Sequence, residues 1–139
     1  MSISWDIEKL NKIGKNTLSE NLGIEIIDFG DDFIKGKMPV DERTKQPDGI
    51  LHGGASVAFA ETLGSIASFM TVKESGKQIV GLEINANHIR ACRNGYVFGT
   101  ATAIHLGRKT HIWQIEIKNE EEKMVCICRF TSMVIEPLA

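Results

Sequence analysis

His52-Gly-Gly54 stands at the head of a long apolar run that carries a single carboxylate, Glu61. If the run is a helix, its first turn presents backbone N–H groups with no intrahelical acceptor. Glycines let a ligand come close to that backbone, and the helix dipole favours negative charge there. Such a tip suits an oxyanion, with Gly53 N–H as the natural donor. A preorganised donor of this kind is worth about 3–4 kcal/mol of barrier. Glu61 is costly to bury among apolar neighbours without a partner or a task. It is the candidate nucleophile or general base, two routes that the sequence does not separate. Together these groups point to chemistry at a carbonyl. His52 is suited to position the reacting group and assist its leaving group. Ser65 lies one turn beyond Glu61 on the same face, placed to hold the carboxylate or a water. Bland readings stand beside these: Glu61 paired with a buried arginine, Gln46 a polar loop residue, Ser65 a small packing residue.

On one helix, the rise from His52 to Glu61 is about 13.5 Å. Two side chains so far apart hardly reach one carbonyl carbon. If both serve one reaction, two copies of the chain must meet, His52 of one facing Glu61 of the other.

The elements that must hold these groups follow from periodicity. Trp5, Ile7, Leu10 and Ile13 mark a short amphipathic helix over 5–13, and 17–21 adds a further turn, giving a helical segment over 1–22. Runs 23–29 and 33–38 read as strands joined by the turn at Gly30-Asp-Asp32, followed by a loop over 39–51. The long helix follows, with Gly76 as its stop. Four more strands are expected over 78–90, 96–106, 111–118 and 124–135, with turns at 93–95, 107–109 and 119–123. Asn94-Gly95 is a strong hairpin signal. Trp113, Ile115 and Ile117 alternate with Gln114, Glu116 and Lys118, so that strand has one buried face. A helix apolar nearly all round needs cover on several sides. A curved antiparallel sheet wrapped around it gives that cover, an α+β architecture in one domain over 1–139.

The 16 basic and 18 acidic residues leave a net charge of −2, which gives nucleic acid no basic face to bind. The N-terminus has early acidic residues and no apolar stretch, so no secretory signal is expected. Gly53 to Val72 approaches the length of a membrane span, but its glutamate and hydroxyl residues suit a buried core helix, with no membrane partner. Cys92, Cys126 and Cys128 have neither zinc nor CxxC spacing and are expected as reduced buried thiols of a cytoplasmic protein. His105 and His111 flank a turn without a second ligand pair, so no metal is expected. The run Glu120-Glu-Glu122 reads as a solvated hairpin tip. No Gly-x-Ser-x-Gly elbow is present.

Three stretches, Gln46-Pro-Asp-Gly-Ile-Leu-His-Gly-Gly-Ala-Ser56 with Glu61, Glu83-Ile-Asn-Ala-Asn-His-Ile-Arg90, and His105-Leu-Gly-Arg108, make the chain resemble the hotdog-fold thioesterases. The branch is the one containing phenylacetyl-CoA and 1,4-dihydroxy-2-naphthoyl-CoA thioesterases. The resemblance runs from Gly23 to Ile135. It implies an acyl-CoA substrate, no separate cofactor because coenzyme A is part of that substrate, and two-chain hotdogs with shared sites, often paired again into tetramers. It implies that Gln46 orients the substrate carbonyl and that the Gly81 and Leu82 backbone follows the pantetheine amides. His88 and Arg90, two apart on one strand face, and the turn Gly107-Arg108-Lys109 can clamp the nucleotide phosphates, a use the resemblance supports for His88, Arg90 and Arg108. Glutamate at 61, where phenylacetyl-CoA relatives tend to have aspartate, tilts the reading toward the naphthoyl branch and menaquinone synthesis. Asp48 departs from the pattern, in which an apolar residue often stands between proline and glycine. Two alternatives remain: hydration or dehydration of a hydroxyacyl thioester, and a non-catalytic acyl-CoA-binding protein.

Overall fold

The computed structural model describes residues 4–138. The chain opens with two short helices, α1 (Ile7–Ile13) and α2 (Leu18–Asn21), then a hairpin of β1 (Glu25–Phe29) and β2 (Phe33–Pro39). The long helix α3 (Gly53–Val72) follows, and after it β3 (Gln78–His88), β4 (Tyr96–Leu106), β5 (Thr110–Lys118) and β6 (Met124–Ile135). A 3₁₀ turn, Lys73–Ser75, extends α3, and Gly76 stops it at φ 76°, a left-handed conformation that glycine adopts without strain.

All six strands form one antiparallel sheet in the order β1-β2-β4-β5-β6-β3. It wraps around α3, which packs against β2, β3, β4, β5 and β6. This is the hotdog arrangement of a curved sheet around one central helix. Phe59, Ala60, Leu63, Ile66 and Ala67 of α3 enter a core shared with Ile34, Met38, Val97, Ile115, Ile117 and Phe130. The glycine pair Gly36 and Gly99, register partners on β2 and β4, lets the helix come close. A methyl group at Gly99 would sit 2.7 Å from Leu63 Cδ1 and 3.0 Å from a Phe59 ring carbon. By length and composition Gly53–Ser75 is apolar enough to cross a membrane; here five strands cover it.

The register overturns one expectation. Asn94-Gly95 does not close a hairpin, because β3 and β4 are not neighbours: β3 pairs with β6 at the far edge of the sheet. Gly95, at φ 76°, instead turns the chain into β4, and its carbonyl accepts the Val40 N–H. Nor is Glu120 merely solvated, since its carboxylate accepts the Tyr96 N–H at the same place. The strand expected over 78–90 ends at His88. Ile89 and Arg90 both donate to the single Val125 carbonyl, which breaks the alternation that would have kept His88 and Arg90 on one face.

One polar knot interrupts the core. Trp113 Nε1–H donates to Ser68 Oγ at 2.7 Å, and that oxygen also lies 2.9 Å from Ser132 Oγ and 3.0 Å from His111 Nδ1. A hydroxyl has one proton and two lone pairs. All contacts are satisfied if Ser132 donates to Ser68 and Ser68 donates to Nδ1, leaving His111 neutral with its proton on Nε2. Burial accordingly holds His111 below its ordinary pKa, the Gly107 carbonyl opposing in part. The three cysteines are free and buried, with the Cys126 and Cys128 sulfurs 3.6 Å apart on one face of β6.

Candidate active site

The candidate residues fall into two groups at opposite ends of β3. The first gathers at the tip of α3. The preceding loop is folded by bonds from Gln46 N–H to the Ile50 carbonyl and from Gly49 N–H to the Gln46 carbonyl, both 2.9 Å, with Gly49 at φ 80°. Gln46 Oε1 accepts the Asp48 N–H, so the outward group of this side chain is its amide N–H₂. Backbone bonds from Leu51 to Cys92 and from His52 to Thr44, both 2.8 Å, fix where the helix begins.

His52 is the N-cap of α3, its Nδ1 accepting the Gly54 N–H at 2.8 Å. An Nδ1 that accepts puts the neutral ring's proton on Nε2, so the exposed edge of His52 is a donor. The His52 carbonyl takes the Ala55 and Ser56 N–H groups. Among the described residues nothing accepts the Gly53 N–H.

His88 ends β3, on the strand expected for it. Its ring covers the helix tip: a methyl group at Gly53 would sit 2.9 Å from His88 Nε2. The turn Gly107-Arg108-Lys109 instead lies near the other end of β3, because the Lys109 carbonyl accepts from Val134, the register partner of Ile79. Nine residues of strand from Ile79 to His88 span about 30 Å. Within one chain, then, His88 and Arg90 do not join Arg108 and Lys109 in a phosphate clamp.

The second group surrounds Glu61. Its carboxylate lies against Gly81 of β3, where a methyl group would come within 2.7 Å of Oε2. Gly81 makes room for the acid, a contact that nothing in the sequence signals because it depends on which strand α3 crosses. Leu82, next to it, is the unpaired residue of a bulge in the β3–β6 ladder and is 55% exposed. Glu61 and Ser65 share one groove of about 450 Å³ between α3 and the α1–α2 segment, as their helical spacing requires. A larger cavity of about 730 Å³ between α1–α2 and β1–β2 holds none of the candidate residues.

The two groups cannot meet within a chain. From His52 to Glu61 the helix turns about 180° as well as rising about 13.5 Å. From Gly81 to His88 the strand covers about 23 Å. Between them runs β3, an eleven-residue edge strand exposed along most of its length. Such an edge offers unpaired N–H and C=O groups to another strand.

Comparison with known proteins agrees with the fold and the chemistry. A family model described as the thioesterase superfamily matches residues 48–126. The 1,4-dihydroxy-2-naphthoyl-CoA hydrolase of Escherichia coli is 45% identical over 129 residues, 93% of this chain and 94% of that protein. The proofreading thioesterase EntH of Cronobacter turicensis is 46% identical over 129 residues, 93% of each chain. A crystal structure of a thioesterase from Haemophilus influenzae superposes with a TM-score of 0.94 at 50% identity, covering 99% of this chain and 96% of that one. Two structures of a Staphylococcus aureus protein superpose with TM-scores of 0.82 and 0.83 at 39% and 40% identity. They cover 85% and 87% of this chain and 98% and 99% of theirs. One carries alanine for a glutamine and the other alanine for a glutamate fifteen positions later, the separation of Gln46 and Glu61. With fold, family model and relatives in agreement, the chain belongs to the thioesterase superfamily and is a hotdog-fold thioester hydrolase.

Proposed function

We propose that the protein hydrolyses aryl-CoA thioesters at a site shared between two copies, with 1,4-dihydroxy-2-naphthoyl-CoA as the substrate and menaquinone synthesis as the setting. One observation carries the shared site: the open N–H of Gly53 and the Glu61 carboxylate stand at opposite ends of an open edge strand. Antiparallel pairing of β3 with the partner's β3 brings the Gly81 end of one strand to the partner's His88 end. Glu61 then faces the partner's Gly53. The same pairing brings the Ile79 end of one strand toward the partner's Arg90, just past the end of its β3. Arg108 and Lys109, about 14 Å from the partner's strand across three strand spacings, lie at the same end as that arginine, within reach of a common ligand. The phosphate clamp that no single chain forms is assembled by the pair, and such pairs join again into tetramers.

In this arrangement the thioester oxygen lies on Gly53 N–H, where the helix dipole favours the charge it gains. Gln46 N–H₂ orients the carbonyl. Glu61 of the other copy either adds to the carbonyl carbon, giving an anhydride that water then opens, or takes a proton from the attacking water. In both routes the C–S bond breaks, the pair leaves on sulfur, and His52 Nε2–H lies at the tip to meet the thiolate. Ser65 shares the groove with Glu61 and holds the carboxylate or the water. Metal plays no part in this scheme. The three free thiols fit a reducing cytoplasm.

Support for the substrate comes from the E. coli relative and from glutamate at position 61. The test is thiol release from 1,4-dihydroxy-2-naphthoyl-CoA and benzoyl-CoA. Wild type is expected to release free coenzyme A, and Glu61→Ala to lower kcat about a thousandfold. Wild-type rates in Glu61→Ala would refute the assignment. Product without free thiol would mean hydration chemistry, and binding without turnover an acyl-CoA-binding protein. A normal menaquinone pool after gene deletion would remove the pathway.

A further inference from the structure

We infer that Ser68 is a positioning residue for Glu61: it fixes the height at which α3 sits on the sheet, and so keeps the carboxylate against Gly81. This rests on the reading that Glu61 reacts with the thioester. Glu61, Gly64 and Ser68, three and four residues apart, share one face of α3. Each has its own seat on the strands below. Glu61 Oε2 lies against Gly81 of β3, and a methyl group at Gly64 would sit 2.5 Å from Cδ2 of Phe130 on β6. Ser68 Oγ lies 2.9 Å from Ser132 Oγ on β6, and Ser132 is the register partner of Gly81. The helix therefore rests at three points on two strands that are bonded to each other. The acid is at one end and the serine at the other, about 10.5 Å along the axis.

The three seats do not restrain the helix equally. Apolar contact is non-directional, so a glycine on a ring leaves the helix free to slide. A hydrogen bond restricts both distance and angle. Among the described residues, Ser68 is the only α3 side chain hydrogen-bonded to the sheet, since Thr62 and Thr71 bond back to their own helix. Three bonds converge on its one oxygen, from Trp113 and His111 of β5 and from Ser132 of β6. Ser68, Ser132 and His111 are all buried in a core that is otherwise apolar, where such groups stabilise little beyond what an apolar filling would give. What they add is a fixed point. A slip of α3 by a fraction of a turn would carry Glu61 off Gly81, and a misplacement of about 1 Å costs up to about a hundredfold in rate.

The test measures kcat and KM for thiol release from benzoyl-CoA in the full chain, with a melting temperature for every variant. Ser68→Ala is expected to lower kcat about tenfold and to leave KM within about twofold, because the groups that bind coenzyme A lie elsewhere. Ile117→Val, a core loss on β5 away from the knot, is expected to lower stability and keep kcat within about twofold. Added to Gly81→Ala, in which the carboxylate is already displaced, Ser68→Ala is expected to cost less than about threefold more. Should Ser68→Ala fold poorly because the Trp113 N–H is left unpaired, Ser68→Ala with Trp113→Phe removes acceptor and donor together and is expected to show the same tenfold loss. A kcat within about twofold of wild type in both, or an equal loss in Ile117→Val, overturns this inference and leaves the proposed function standing. So does a full tenfold loss on top of Gly81→Ala, which would show an effect not passing through Glu61. Wild-type rates in Glu61→Ala, or no thiol release by wild type, remove the reading beneath it.

Discussion

If Glu61 of one copy serves the helix tip of another, two inactive variants restore each other when mixed. The perturbation pairs Glu61→Ala with His52→Asn. Asparagine is a good N-cap, so the second change removes the Nε2–H donor while the cap on Gly54 is kept. Reacting atoms must come within about 3–3.5 Å of each other. Within a chain the two groups are separated by about 13.5 Å of helix rise and a half-turn. No rotamer of one glutamate closes that gap. In a freely exchanged equal mixture each site draws its glutamate from one copy and its histidine from the other. Chance then makes about a quarter of the sites intact, since cyclic pairing gives every site one contribution from each chain. That fraction is the same whether the pairs remain dimers or join into tetramers. The assay is thiol release after subunit exchange or co-expression, with each variant alone as the baseline. Recovery to about a quarter of wild-type activity is expected. A mixture no more active than the two variants separately would refute the shared site and, with it, the pairing proposed for β3.

Two further outcomes follow from contacts already described. Gly81→Ala places a methyl group 2.7 Å from Glu61 Oε2 and must displace the carboxylate, so kcat is expected to fall about a hundredfold. The same methyl comes within 3.2 Å of the buried Phe130 ring, so the melting temperature is measured alongside, and a fully active Gly81→Ala protein would show that the acid needs no fixed position. The second concerns His111, whose folded pKa lies below the ordinary 6.5 of the unfolded chain. As pH falls below 6.5 the unfolded state takes up the proton first, so this contribution to stability is complete above that pH and is lost as pH drops toward the folded pKa. Denaturant titrations between pH 7 and pH 5 should show a steeper loss for wild type than for His111→Gln, and equal slopes would refute the neutral, Ser68-bonded imidazole.

The sequence by itself determined much of this protein, because the signals involved are local. The pattern of apolar residues set six strands and one central helix, Gly76 set where that helix ends, and alternation set the buried face of β5. The types and spacing of Gln46, His52, Gly53 and Glu61 marked the chemistry, and the helical separation of His52 and Glu61 already argued for two copies. What only the tertiary structure decided was long-range. Asn94-Gly95 has the composition of a hairpin, yet β3 crosses to β6, since burying α3 on five sides outweighs a local turn preference. That crossing puts Gly81 under Glu61 and His88 over Gly53, and parts His88 from Arg108 by the length of a strand. Contacts of this kind join residues far apart in the chain, and no local pattern of residue types encodes them.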